Sequence, residues 1–236
     1  MAIFSFHLAK TGFRTSVANL CRPPTSARVR GLRHAECMTH MALGAPIFAS
    51  SRAQLRHFAM FASWESEQAI DEFLGASHLG RELGKGWHVR LSFLRRWGSV
   101  SPFDGLPESA AEHAPLSPVV AVTLARMRPL QIPRFIRWGR PVEGLVRDHP
   151  GQTLALAAIR LPNTVSTFSV WRSAAEMTDM VYGHSEVSLP ERHSAAMVER
   201  DRKDFHYEFT TLRFRALSEP GVWEGRENIV PQLPSP

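Results

Sequence analysis

Cysteine is scarce in this 236-residue chain: Cys21 and Cys37 are the only two. They have neither the number nor the C-x-x-C spacing of a disulfide framework or a zinc site, so they read as ordinary thiols in a reducing compartment. Lysine is scarcer than arginine, supplying three of 28 basic residues. The arginines are scattered instead of clustering on one element among stacking aromatics, so a net charge of +6 is not a nucleic-acid footprint. The densest basic group, Arg22 to Arg33, reads as a solvated connection. No run reaches the roughly 18 apolar residues that an integral membrane span needs. The opening MAIFSFHLAKTGF lacks the basic start, long apolar run and cleavage site of a secretory leader. A cytoplasmic protein is expected, with a peripheral membrane contact left open for a lipid-like substrate.

Enzyme motifs are missing too. Without H-E-x-x-H a zinc hydrolase is disfavoured. Without G-x-S-x-G, G-x-x-x-x-G-K or a dinucleotide fingerprint, the serine-hydrolase, nucleotide and Rossmann readings lose their main support. Flavin stays open.

What the chain does contain is itself, twice. Phe61-Ala-Ser-Trp64-Glu-Ser66 recurs as Phe168-Ser-Val-Trp171-Arg-Ser173, Phe6 to Lys10 resembles Val122 to Arg126, and Trp87-His88 resembles Phe205-His206, in the same order. Each copy reads strand, helix, strand, strand, helix, strand. In the first these are Ile3 to Ala9, Thr11 to Leu20, a strand within His34 to Leu43, Gln54 to Ser63, a helix capped by Ser66, and a strand through Val89, Leu91 and Phe93. In the second they are Val119 to Arg126, a helix within Pro133 to Arg147, Thr153 to Ile159, Val165 to Trp171, a helix capped by Ser173, and His206 to Ala216. Ala69, Ile70, Phe73 and Leu74 give the helix after Ser66 one apolar face.

The predicted organisation is a first repeat over 1–98, a Pro-rich linker over 99–117, a second repeat over 118–219 and a C-terminal tail over 220–236 that wraps the surface or is disordered. A βαββαβ unit leaves one sheet face bare, and two copies cover each other by packing sheet against sheet. The fold expected is α+β, two tandem ferredoxin-like repeats forming an internally duplicated dimeric α+β barrel. An apolar ligand would fit between sheet and helices.

Eleven histidines are the obvious source of chemistry. His193 precedes the helix-forming run Ser194 to Arg200, with Ala196 and Met197 on its face, an apolar wall suited to a porphyrin. His184 follows Gly183 in a loop and is an alternative, and His78 sits on the corresponding side of the first copy. Each is weighed against an ordinary packed or surface histidine. Trp64 and Trp171 read as core. Arg213 and Arg215 share one side of the last strand, where they meet a carboxylate or propionate, or simply solvent.

Phe168 to Ser173, the helix ending near Tyr182, His193 to Ala196, Phe205 to Phe214 with Glu208 and Arg213-Phe214, and Gly221-Val-Trp223-Glu-Gly225 together resemble the spheroidene monooxygenase family. In the first half the likeness covers Phe58 to Phe73. The resemblance implies a bound haem, His193 as axial ligand to the haem iron with His184 as the alternative, molecular oxygen, and a ferredoxin-type electron donor. It further implies oxygen insertion into a C–H bond of an apolar, carotenoid or other isoprenoid, substrate. The segment from His184 to Glu191 is expanded relative to the pattern. A non-catalytic ligand-binding or interaction protein and a cofactorless oxygenase of the same fold stand as alternatives, with a homo-oligomer left open.

Overall fold

A computed structural model describes residues 2–43, 53–184, 195–196, 198–199, 202 and 204–231. The first repeat comprises β1 (Ile3–Lys10), α1 (Phe13–Cys21), β2 (Leu32–Met41), β3 (Ala53–Trp64), α2 (Glu67–Ala76), α3 (His78–Leu83) and β4 (Trp87–Ser99). The second comprises β5 (Val119–Met127), α4 (Ile132–Arg147), β6 (Gln152–Arg160), β7 (Thr164–Trp171), α5 (Ala174–Tyr182) and β8 (His206–Ser218). Both expected caps form. Ser66 Oγ accepts from the Ala69 N–H and Ser173 Oγ from the Glu176 N–H, each satisfying a first-turn donor that has no partner in its own helix. Gly183, at φ 75°, ends α5 in the left-handed conformation glycine adopts without a Cβ penalty.

The eight strands close a barrel in the order β1-β3-β2-β6-β7-β5-β8-β4. Two antiparallel seams join the repeats, β2 on β6 (Thr39 opposite Ile159) and β4 on β8 (Phe93 opposite Phe214). Closure removes the exposed edges that each four-stranded sheet would otherwise present. Inside, the alternate residues of every strand meet: Phe4, Phe6, Phe61, Phe93, Phe168 and Phe214 are buried together, and the rings of Phe6 and Phe168 stack at 3.9 Å across the two copies. The interior is therefore a packed core. Burial of each ring contributes roughly 1.5–3 kcal/mol, which fixes the two sheets to each other.

A charged latch crosses between repeats inside the barrel. Glu36 of β2 is fully buried and accepts from His34 (2.8 Å), from Arg160 of β6 (2.7 Å) and from Arg126 of β5. Burial alone would raise its pKa, but the hydrogen bonds from His34 and Arg126 and the charge of Arg126 bring it down to about 2.

The described part of the tail runs over the surface, with 220–222 and 224–228 exposed, and is pinned there by two buried side chains. Trp223 and Ile229 are buried in the barrel core, and Glu219 holds the turn by accepting from the Trp87 indole (2.7 Å) and from the N–H groups of Ile229 (2.6 Å) and Val230 (2.8 Å). Its Pro and Gly content serves close approach: at Gly221, φ 92°, a Cβ would sit 2.0 Å from the Gly86 carbonyl oxygen.

Strand register also corrects the internal alignment. Phe6 lies opposite Phe61 and Val89, while Val122 lies opposite Phe168 and Leu212. The twins of Trp87-His88 are therefore Thr210-Thr211, and Phe205-His206 lie further back, where β8 begins.

Candidate functional site

Register makes the helix-facing sides of the two sheets comparable position by position. Across the first sheet one row runs Cys37, Met60, His7, His88. At the equivalent positions the second sheet has Ala157, Thr167, Thr123, Thr211. All four residues of the first row are buried, at 0, 0, 0 and 5% exposure, and α2 and α3 lie over that sheet with Ile70, Phe73, Leu79 and Leu83 also buried. In the second row Ala157 is buried, Thr123 and Thr211 are half-buried and Thr167, on a central strand, is exposed. The neighbouring row repeats the contrast with Ala155, Ser169 and Ala121 half-buried.

Large side chains thus fill the space under the helices in one copy, and in the other methyls and hydroxyls line a shallow groove in which Thr167 is open to solvent. Helix α4 forms its other wall. Ile132, Phe135, Ile136, Val142 and Val146 make an apolar stripe at helical spacing; Ile132 and Phe135 pack at one end against Ala125, Met127 and Phe205, Val146 packs at the other with Leu145, Val119 and Trp171, and Ile136 and Val142 between them are half-buried. Further along, Glu199 is tied to α4 by Arg134 at 2.8 Å, and Ala196 beside it is buried. The groove has an apolar wall, a floor of threonine hydroxyls with Thr123 and Thr211 3.3 Å apart, and a cationic rim. There Arg213 and Arg95, directly opposed on β8 and β4, lie over the Trp97 ring at 4.4 and 4.7 Å. Burial first, and then the charge of Arg95, lower the Arg213 pKa, with Tyr182 acting the other way.

Two histidines border this half, and neither was singled out from the sequence as a ligand. His149, between α4 and β6, is buried with its ring 5.0 Å from Trp171. Its Nδ1 accepts from the Gly151 N–H at 3.0 Å, so that nitrogen carries no proton, and burial lowers the ring's pKa. The proton therefore sits on Nε2, a buried donor with no acceptor among the described residues rather than a lone pair for iron. His206, against Phe135 and Phe209, is tied through Nδ1 to Asp204 at 3.1 Å. Burial and the backbone geometry of Gly151 make His149 notable, and no local motif announces either.

Of the histidines read from the sequence, His184 is exposed at the end of α5, its ring 6.2 Å from Tyr182. His78 is exposed at the start of α3, 3.8 Å from Glu82. His193 lies outside the described residues. Trp64 and Trp171 are core, as expected, with indole N–H groups donating to Ser5 and Ser169. Arg215 is exposed and Arg213 half-buried. Among the described residues no group of three or more His, Cys, Asp or Glu side chains could hold a metal ion, and no helix is long and apolar enough to cross a membrane.

The filled row carries its own prediction. His7 and His88 stack at 4.9 Å, and burial lowers both pKa values, that of His88 from 6.5 to about 4. Below pH 6.5 the unfolded chain binds protons that the folded chain refuses. Stability is therefore expected to fall as pH drops from about 6.5 towards 4, visible as a declining urea midpoint. A His88→Gln variant should show a shallower decline over that window.

No protein-family model matches the chain. It is similar to the spheroidene monooxygenase of Rubrivivax gelatinosus, 31% identical over 170 residues that cover 71% of this chain and 63% of that protein. It is also similar to the spheroidene monooxygenase of Rhodobacter capsulatus, 31% identical over 147 residues covering 61% and 56%. The resemblance expected from the sequence is therefore shown, and the chain spans less than two thirds of the length of these curated relatives. Among solved structures, an aldoxime dehydratase in complex with butyraldoxime matches with a TM-score of 0.48 and 9% identity, over 91% of this chain and 79% of that one.

Proposed function

We propose that this chain is a monooxygenase for an apolar substrate, bound in the groove between the second sheet and α4. The observation that carries the reading is the replacement of Cys37, Met60, His7 and His88 by Ala157, Thr167, Thr123 and Thr211 at equivalent positions of a duplicated fold. A duplication that needed only stability would keep both rows filled, because an open apolar wall forgoes dispersion contacts and burial. The similarity to spheroidene monooxygenases supports oxygen insertion as the reaction and a long isoprenoid as the substrate class.

The groove fits a flat apolar group with an acidic edge. Phe135 and Ile136 would cover its face and exclude water, the threonine floor would set its depth, and Arg213 would meet its acid. Haem, when bound, would supply the activation of molecular oxygen. The sheet floor offers hydroxyls and no imidazole, and by the resemblance the ligand to iron would be His193, two residues before the helical Ala195, with His184 second. Electrons would come from a ferredoxin-type donor.

The test is the visible spectrum of purified protein before and after adding haem, for wild type and His193→Ala. A sharp Soret band that shifts or disappears in the variant is the expected result. A stoichiometric band unchanged in the variant moves the ligand elsewhere, with His184→Ala the next variant. Failure of folded protein to take up haem overturns haem dependence, and oxygen consumption with an apolar substrate then separates a cofactorless oxygenase from a binding protein.

A further inference from the structure

Arg213 has a twin. Arg90 occupies the equivalent position of the first repeat, opposite Ser5 as Arg213 is opposite Ala121. Arg90 is held by two acids of α2, Glu67 at 3.2 Å and Asp71. Since Ser66 and Ser173 cap the two corresponding helices, the twins of Glu67 and Asp71 are Ala174 and Thr178 of α5. The arginine is present in both repeats, and the two acids that hold it in the first have no counterpart in the second. The Thr178 hydroxyl is occupied within its own helix, donating to the Ala174 carbonyl at 2.7 Å.

Apart from the Tyr182 phenol, which favours its charge, what lies near Arg213 is more positive charge. Arg95 lies directly across from it, and Arg215 lies two residues on along the same strand. Like charges directly opposed in a sheet destabilise it. Trp97 offsets part of this by presenting its ring to both guanidinium groups. Among the described residues no carboxylate lies within ion-pair distance of Arg95 or Arg213. A half-buried guanidinium beside an apolar groove, without the acid pair that holds its twin, is placed to meet an anion.

We propose that Arg213, backed by Arg95 on the face of Trp97, binds a carboxylate carried by the groove's ligand, so that the site selects amphipathic acids over neutral apolar molecules. The inference rests on the groove being a ligand site and is independent of whether that ligand is haem. A carboxylate can come from a porphyrin propionate or from an acidic substrate, and the chemistry at Arg213 is the same.

Binding can be followed by quenching of tryptophan fluorescence, using two matched pairs of probes: haemin against its dimethyl ester, and hexadecanoic acid against hexadecanol. The wild type is expected to prefer the acid of at least one pair by about tenfold or more. Preference within the haemin pair identifies a propionate, and preference within the fatty pair an acidic substrate. Arg213→Gln should erase the preference, and Arg213→Lys should keep part of it. The double variant Ala174→Glu/Thr178→Asp should erase it as well with Arg213 still in place, because it restores the acid pair seen around Arg90. Thermal unfolding of each variant shows that it is folded. No preference in the wild type, or a preference that survives both Arg213→Gln and the double variant, overturns the proposal. Binding of neutral probes without discrimination would leave the groove intact as a ligand site and remove only the anion receptor.

Discussion

Thr167→Met is expected to weaken binding of an apolar ligand in the groove by at least about tenfold while leaving thermal stability almost unchanged. Methionine is the residue at the twin position, where Met60 is fully buried. Thr167 is exposed, so a longer side chain has room to extend and does not overpack the sheet; a volume increase costs about 1–3 kcal/mol only where the site is already full. The added chain takes the space assigned to the ligand. The reciprocal change should behave in the opposite sense. Met60→Thr opens a cavity under α2 and α3 and leaves a hydroxyl there, a loss of about 2–5 kcal/mol, and it should not touch ligand binding in the other repeat. Calorimetric unfolding and ligand titration of both variants check the pair. Equal stability losses for the two would contradict the asymmetry between the sheets.

The largest loss of stability is expected at Glu36. Glu36→Ala leaves Arg160 partly buried without its carboxylate and Arg126 with only the longer 4.0 Å pair to Glu208, and breaking a buried ion cluster by removing one partner costs about 3–5 kcal/mol. For a chain of this length that is a drop in Tm of about 10 °C. Since the cluster joins β2 of one repeat to β5 and β6 of the other, the loss should fall on the seam between them. Replacing all three with Glu36→Leu, Arg126→Met and Arg160→Met should recover most of it, because the penalty comes from the stranded charges. Glu36 also sets an acid limit. Its folded pKa of about 2 lies below the ordinary 4.5, so its contribution is present above pH 4.5 and is lost as pH falls towards 2. That window lies below the one governed by His7 and His88, and Glu36→Gln should flatten it alone.

The duplication and its elements were legible because local chemistry repeats: Ser66 and Ser173 cap their helices, and Trp64 and Trp171 end equivalent strands in the core. The groove was not, because alternating Thr and Ala on a strand read as an ordinary half-exposed face. Only cross-strand register shows Thr167 standing where Met60 stands. Similarity of Trp87-His88 to Phe205-His206 pointed the last strand to the wrong register, since two aromatic-His pairs match in type while hydrogen-bonded neighbours decide position. Glu36, Arg126 and Arg160 are separated by 90 and 124 residues, beyond the reach of any local pattern. Trp223 sits among Pro and Gly residues that read as a surface tail, and nothing in that composition marks it and Ile229 as buried anchors or Gly221 as the point of close approach to Gly86. Arg213 was visible as a cation on the last strand, but the absence of an acid pair beside it became readable only through Arg90 and its partners Glu67 and Asp71.

The asymmetry of the two sheets can be measured without knowing the ligand. In a Cys21→Ser background, which removes the exposed thiol and leaves Cys37 buried with its ionisation pushed up by burial, a single cysteine is placed at Thr167 or at Met60 and its reaction with a small maleimide is timed under native conditions. Thr167→Cys is expected to react at a rate near that of an exposed thiol and to be protected by ligand, and Met60→Cys to react only as fast as the protein unfolds. Equal rates at the two positions would mean that the second sheet is as closed as the first, and would contradict the groove on which the functional reading stands.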